Sequence, residues 1–153
     1  MPRLLLITHC PSPNTERLRD AVIEGARHPD IDGVELWVKA PLEAAPEDVL
    51  AADALILGTT ENFAYMAGRL KDFFERIYYP CLEQTQGKPY ALYVRAGNDG
   101  SGTVASVERI VTGLRWKAVQ PPLVMAGDFD DEFIEQCREL GMTLAAGLEA
   151  GVF

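Results

Sequence analysis

The stretch THCPSPNT, residues 8–15, packs a histidine, a cysteine, two prolines, a serine, an asparagine and two threonines between an apolar run and a helical pattern. Its residue types suit three chemistries. Cys10 is a nucleophile in the right setting. A helix that starts here, with Ser12 as N-cap and Pro13 at the first helical position, leaves backbone N–H groups free to cradle a phosphate. The hydroxyls of Thr8, Ser12 and Thr15 add neutral donors. The third reading is a well-capped helix start and nothing more.

The nucleophile reading is tested by spacing. Low-molecular-weight tyrosine phosphatases also place a cysteine after their first strand and close the loop with an arginine. Here six residues separate Cys10 from Arg17, one more than in that family, and they include two prolines and no glycine. A loop that must wrap phosphate with its amides is spoiled by both features. Asp128, Asp130 and Asp131 offer a general acid to that chemistry, although acidic residues equally cap helices. The expectation is that Cys10 is a small filler or a bystander beside a ligand, and that His9 is structural.

Bulk properties narrow the partners. The chain has 153 residues, 48% hydrophobic and 24% charged, an ordinary globular mixture that favours one domain. Its net charge of −9 argues against nucleic acid and anionic membranes as partners. Three scattered cysteines and two histidines argue against a zinc site and against a disulfide framework. No stretch is long enough to span a bilayer and the first apolar run is too short for a signal peptide, so no membrane insertion and a reducing cytoplasm are expected.

The elements that must position the loop follow from periodicity. Strands are expected at 3–8, 34–38, 54–58, 89–97 and 122–127. Helices are expected from Asn14 to Ala26, from Pro46, along Met66, Leu70, Phe73 and Ile77 up to Pro80, along Val104 to Leu114, and along Phe133 to Leu144. Alternating strands and helices imply an α/β fold: a doubly wound, five-stranded parallel sheet in the order 2-1-3-4-5, with helices on both faces. In that arrangement a ligand lies at the carboxyl ends of the strands, where the order reverses. The loops there are 8–15, TTENFAYM (59–66) and AGNDGSGT (96–103).

The middle loop carries the sharpest pattern. GTTENFAYMAGRLKDFFERIYYP (58–80) resembles the corresponding stretch of the flavodoxin-like NAD(P)H-dependent FMN and quinone oxidoreductases. It matches at Gly58, Thr59, Phe63, Met66, Gly68, Leu70, Lys71, Phe73, Phe74 and Arg76. It departs at Thr60, where proline is usual, and at Glu75, where aspartate is usual. SPNTERL (12–18) resembles the first loop of the same family. The resemblance implies a bound FMN, with its phosphate on Cys10, Ser12, Pro13, Asn14 and Thr15. It further implies a flavin edge along Thr59, Thr60, Glu61, Asn62 and Phe63, with Phe63 or Tyr65 stacking on the ring. For Phe63 the other reading is a helix-entry staple, and for Met66 it is core.

Loop 96–103 brings Ala96, Gly97, Asn98, Gly100 and Gly102 near the ring. It holds three glycines and no aromatic, so backbone can approach closely and one flavin face stays open. An open face suits hydride transfer from NAD(P)H as co-substrate to a quinone or other small-molecule electron acceptor. The cofactor carries that chemistry, so no catalytic protein residue is required, and Glu61 near the ring would lower its potential. The other reading is a non-catalytic electron carrier, or a flavin-less binding domain. Related proteins often complete the flavin site across a subunit contact, so a homodimer or higher homo-oligomer is implied, with Tyr78 and Tyr79 at the contact.

Overall fold

A computed structural model describes residues 1–153. The order of elements is β1 (Arg3–Thr8), α1 (Pro13–Ala26), β2 (Glu35–Lys39), α2 (Pro46–Ala51), β3 (Ala54–Asn62), β4 (Tyr65–Met66), α3 (Gly68–Cys81), β5 (Pro89–Ala96), α4 (Ser101–Leu114), β6 (Lys117–Ala118), β7 (Leu123–Ala126) and α5 (Asp131–Ala150). The sheet runs β2-β1-β3-β5-β6, with β7 also on β5 and β4 also on β3.

Counted by position, the parallel strands stand in the expected 2-1-3-4-5 order, with two corrections. The fifth position is split: β6 pairs with the start of β5 and β7 with its end. Gln120, Pro121 and Pro122 lie between them. Proline has no N–H to give the ladder, so the edge strand breaks there. The second correction is β4. Met66 is a strand residue paired with Glu61, not the first residue of the helical stripe. Pro80 lies inside the last turn of α3, and the helix ends one residue later.

Side chains alternate across β1 and β3 as strand geometry requires. Leu4, Leu6, Ala54 and Ile56 face the layer of α1 and α5, while Leu5, Ile7, Leu55 and Leu57 face α2, α3 and α4. Both faces are covered, which is why these strands read as unbroken apolar runs. Where α1 crosses α5, a side chain at Gly25 would strike the Arg138 carbonyl, and one at Gly141 would strike the Val22 carbonyl. Two glycines thus let the helix backbones touch. No helix is long and apolar enough to cross a membrane.

Parallel pairing of β1 with β2 and β3, and of β3 with β5, brings all the loops considered above to one edge. That edge is where the sequence analysis expects a ligand.

Candidate functional site at the carboxyl edge of the sheet

The loop after β1 is built as expected in outline. Ser12 is the N-cap of α1 and Pro13 follows it. Its hydrogen-bonding capacity, however, is largely consumed within the loop. Thr15 N–H donates to Ser12 Oγ at 3.2 Å, Ser12 N–H donates to Thr15 Oγ1 at 3.0 Å, and Glu16 N–H donates to the Ser12 carbonyl at 3.0 Å. The Thr15 hydroxyl also donates to the Ser12 carbonyl at 2.9 Å. Pro11 and Pro13 have no N–H, and His9 N–H is held by the Gly58 carbonyl. Only Cys10 and Asn14 keep uncommitted backbone donors. Thr8 is not one of the loop's free hydroxyls either, because it meets the Tyr93 hydroxyl at 2.5 Å. The expectation of a row of open donors is corrected here: a capping box satisfies most of them.

Cys10 is half-buried, and burial pushes its thiol up, away from the thiolate a nucleophile needs. Arg17 turns away from it, donating to Asn14 Oδ1 at 3.3 Å and pairing with Asp131 at 3.5 Å. Asp130 caps α5 by accepting from Glu132 N–H. The phosphatase constellation is therefore not assembled, and its pieces serve helix ends.

The loop after β3 is a hairpin. β3 runs on to Asn62, turns through Phe63 and Ala64, and returns as β4. Both turn residues take the left-handed conformation, with φ of 54° and 58°. A two-residue hairpin turn asks for this, and glycine or asparagine normally supplies it. Phenylalanine and alanine there hold strain of about 1 kcal/mol each. The turn lifts the Phe63 ring fully into solvent, so Phe63 is not a helix-entry staple. Met66, by contrast, is core.

The hairpin is held by bonds within itself and to its surroundings. Thr59 Oγ1 accepts from Ala67 N–H at 3.0 Å, Thr60 Oγ1 donates to Asn62 Oδ1 at 2.9 Å, and Met66 N–H donates to Ser106 Oγ at 3.2 Å. Tyr65 is partly exposed, and its carbonyl accepts from Thr103 Oγ1 at 3.0 Å. Gly102 lies directly under the turn, where any side chain would collide with the Ala64 carbonyl.

Glu61 joins this hairpin to the loop after β5. Its two carboxylate oxygens accept from Asn98 N–H at 2.7 Å and from Gly100 N–H at 2.8 Å. Such charge-assisted bonds are among the stronger ones a loop can have. Gly100 itself has a φ of 70°, the conformation that opens α4. Ala96 and Gly97 lead into this clamp. Arg95, on β5, braces the same edge by donating to the carbonyls of Met125 in β7 and of Gly127 just beyond it, at 3.0 and 2.6 Å.

A sizeable cavity lies away from these two loops. It has a volume of about 510 Å³ and opens between the ends of β1 and β2. Of the residues singled out in sequence, only Cys10 borders it as a binding residue, with Thr8 and His9 beside it. The side chains that give it character are Arg19, Lys39 and Arg69. Burial, and then the nearby Arg69 charge, lower the His9 pKa, so this imidazole is neutral at pH 7. The three cations lie far apart in sequence on α1, β2 and α3, and only the fold brings them together. One signal was nevertheless present: Arg69 sits in the first turn of a helix, where the dipole disfavours a cation.

An FMN-like ligand fits this edge in its donor set. There is an exposed aromatic on a strained turn for a planar ring, and a cationic cavity beside the first loop for an anionic tail. A cavity of this size also falls in the range of small-molecule sites.

Comparison with known proteins bears on the family and the fold. A family model described as NADPH-dependent FMN reductase matches residues 16–131. A flavodoxin from Aquifex aeolicus (strain VF5) is 27% identical over 161 aligned residues, covering 95% of this chain and 86% of that protein. Among solved structures, a flavodoxin from the domain Archaea superposes with a TM-score of 0.80 at 17% identity, over 96% of this chain and 99% of that one. A flavodoxin, WrbA-like protein from Agrobacterium tumefaciens superposes with a TM-score of 0.77 at 18% identity, over 98% and 99% of the two chains. These superpositions establish a flavodoxin-like fold.

Proposed function

The chain belongs to the NADPH-dependent FMN reductase family, and from that premise we propose that it is an FMN-binding oxidoreductase using NAD(P)H to reduce a quinone or other small acceptor. The observation that carries this reading is the strained hairpin with Phe63 at its tip, standing at the edge where the family's ligand lies. Strain and full exposure of a large aromatic are both costly, and they persist where a ligand benefits from them.

Bound FMN supplies hydride acceptance at its N5 and onward delivery to the acceptor. The protein's part is placement. Glu61 fixes the spacing of the two loops by holding Asn98 and Gly100. The hairpin backbone from Thr59 to Asn62 would offer polar groups to the edge of a bound ring, and Phe63 would cover one face. Gly97, with open space where a side chain would start, would put no bulk on the other face of a bound ring and leave it open to a nicotinamide. Ala96 is buried in the core, and Gly102 packs under the hairpin. Cys10 and Asn14 contribute N–H groups, and the positive end of α1 favours the phosphate. Ser12, Pro13 and Thr15 shape this start rather than touch the ligand.

A second reading, an electron carrier, has the 27% identical flavodoxin behind it. The two are separated by mixing the FMN-loaded protein with NADPH or NADH under anaerobic conditions. A reductase bleaches the flavin absorbance within seconds, whereas a carrier leaves it oxidised until a separate reductase is added.

The same reading places a homodimer contact along α3, where Tyr79 is exposed and Tyr78 lines a shallow apolar cavity with Phe74 and Ile110. Sedimentation tests it: Tyr79→Glu should shift a dimer to monomer. All three cysteines are free, which suits a reducing compartment such as the cytoplasm.

A further inference from the structure

Three strands meet at one level just below the carboxyl edge. Thr8 closes β1, Gly58 stands beside it on β3, and Tyr93 stands beside Gly58 on β5. The Tyr93 side chain crosses over Gly58 and brings its hydroxyl to the Thr8 hydroxyl at 2.5 Å. Any side chain at Gly58 would strike both the Thr8 hydroxyl and the Tyr93 ring, so glycine is what opens the crossing. β3 lies between β1 and β5 in the sheet, so no ladder joins those two strands directly. The hydroxyl pair does.

Burial gives the bond its direction. Thr8 and Tyr93 are both buried, and Thr8 is the partner of the phenol. Burial pushes the Tyr93 hydroxyl well above the ordinary tyrosine range, so it keeps its proton. A buried phenol proton without an acceptor is costly, so Tyr93 donates and Thr8 Oγ1 accepts. The Thr8 proton is then free for Cys10 Sγ, which lies 3.8 Å from Thr8 Oγ1. The chain of donors thus runs from Tyr93 through Thr8 to Cys10. It starts on the strand that feeds loop 96–103 and ends in loop 8–15, at one of the two residues there with an uncommitted backbone N–H.

We propose that Tyr93 is a positioning residue for the flavin site: acting through Thr8, it holds loop 8–15 in register with the loops after β3 and β5. It touches no ligand itself. The role rests on the FMN reading above and deepens it. Loop 8–15 needs such an anchor because its prolines and capping box stiffen the helix start, while Cys10 lies ahead of that start and outside the cap. A buried bond to β5 fixes that part of the loop against the rest of the edge, and fixed geometry is what keeps few donors effective.

Riboflavin lacks the phosphate placed at loop 8–15, so comparing it with FMN isolates that loop. Both flavins are titrated by fluorescence quenching, with Tm recorded, into wild type, Tyr93→Phe, Thr8→Val, their double variant and Thr8→Ser. The control is Tyr90→Phe, the same change at the other end of β5 and in the opposite core layer. Wild type should prefer FMN. Tyr93→Phe and Thr8→Val should each weaken FMN about fivefold, as for loss of one hydrogen bond, and leave riboflavin unchanged. The double variant should lose no more than either single one, because both break the same bond. Thr8→Ser keeps the hydroxyl and should keep FMN affinity, and Tyr90→Phe should change neither flavin. A merely structural bond lowers Tm and treats the two flavins alike. Equal losses for both flavins, no loss for FMN, or losses that add in the double variant overturn the positioning role, as does a wild type that does not prefer FMN. If wild type binds neither flavin, the FMN reading itself fails and the role falls with it, a result distinct from the others.

Discussion

Two loops at the same edge of the sheet spend their hydrogen bonds in opposite ways. The loop after β1 turns inward: Ser12 and Thr15 satisfy each other, and two prolines remove donors altogether. The hairpin after β3 turns outward: its tip stands in a strained conformation, holds an aromatic in solvent, and reaches through Glu61 to fix a third loop. The first arrangement stabilises a helix. The second gives up stability at its tip and keeps a shape that a ligand can use. Polar residues in a loop therefore say little until their partners are known.

The contrast can be broken from the hairpin side first. Gly102→Val drives a side chain into the Ala64 carbonyl and must push the turn off α4. The expected loss is about 2 kcal/mol of stability by urea melt, with FMN affinity reduced more than tenfold. Glu61→Ala leaves the N–H groups of Asn98 and Gly100 without their carboxylate. About 1–2 kcal/mol should be lost, FMN should bind several-fold more weakly, and Glu61→Gln should restore part of both.

The capped loop predicts a different signature. Ser12→Ala removes the cap and should cost about 1 kcal/mol, a fall in Tm of about 2–4 °C for a chain of this size. Its FMN affinity should stay within about threefold, because the hydroxyl is already engaged. A collapse of FMN binding in this variant would show that the two loops are not divided as described. Phe63→Gly should move stability and affinity in opposite directions. Relief of left-handed strain should raise Tm by about 2–4 °C, while loss of the ring weakens flavin binding. The smallest effect concerns Cys10. Burial holds its thiol above the ordinary value, so it stays protonated at pH 7.5, and alkylation by iodoacetamide should be slower than for a free thiol at that pH and should speed up as pH rises.

Much of the fold was legible because hydrophobic periodicity and parallel topology are strong constraints. Leu4 to Ile7 and Ala54 to Leu57 could only be strands covered on both faces, and their alternation with amphipathic helices leaves few orders of pairing. Pro121 and Pro122 were visible as well, but their effect on an edge strand depends on which N–H faces its neighbour. The hairpin was hidden because Phe63 and Ala64 violate the residue preferences of the turn they form. The site was legible where it is local: the helix start at Ser12 and Pro13, and the pattern from Gly58 to Arg76. It was not legible where it depends on assembly. Arg19, Lys39 and Arg69 share a cavity only once α1, β2 and α3 are in place, and the reach of Glu61 to Asn98 crosses thirty-seven positions.

The most direct measurement is a titration of the purified protein with FMN, followed by quenching of flavin fluorescence and by the visible absorption spectrum. Saturable one-to-one quenching at micromolar protein, with a shifted flavin band, is the predicted result. Free-flavin fluorescence and an unshifted spectrum throughout the titration would contradict the account.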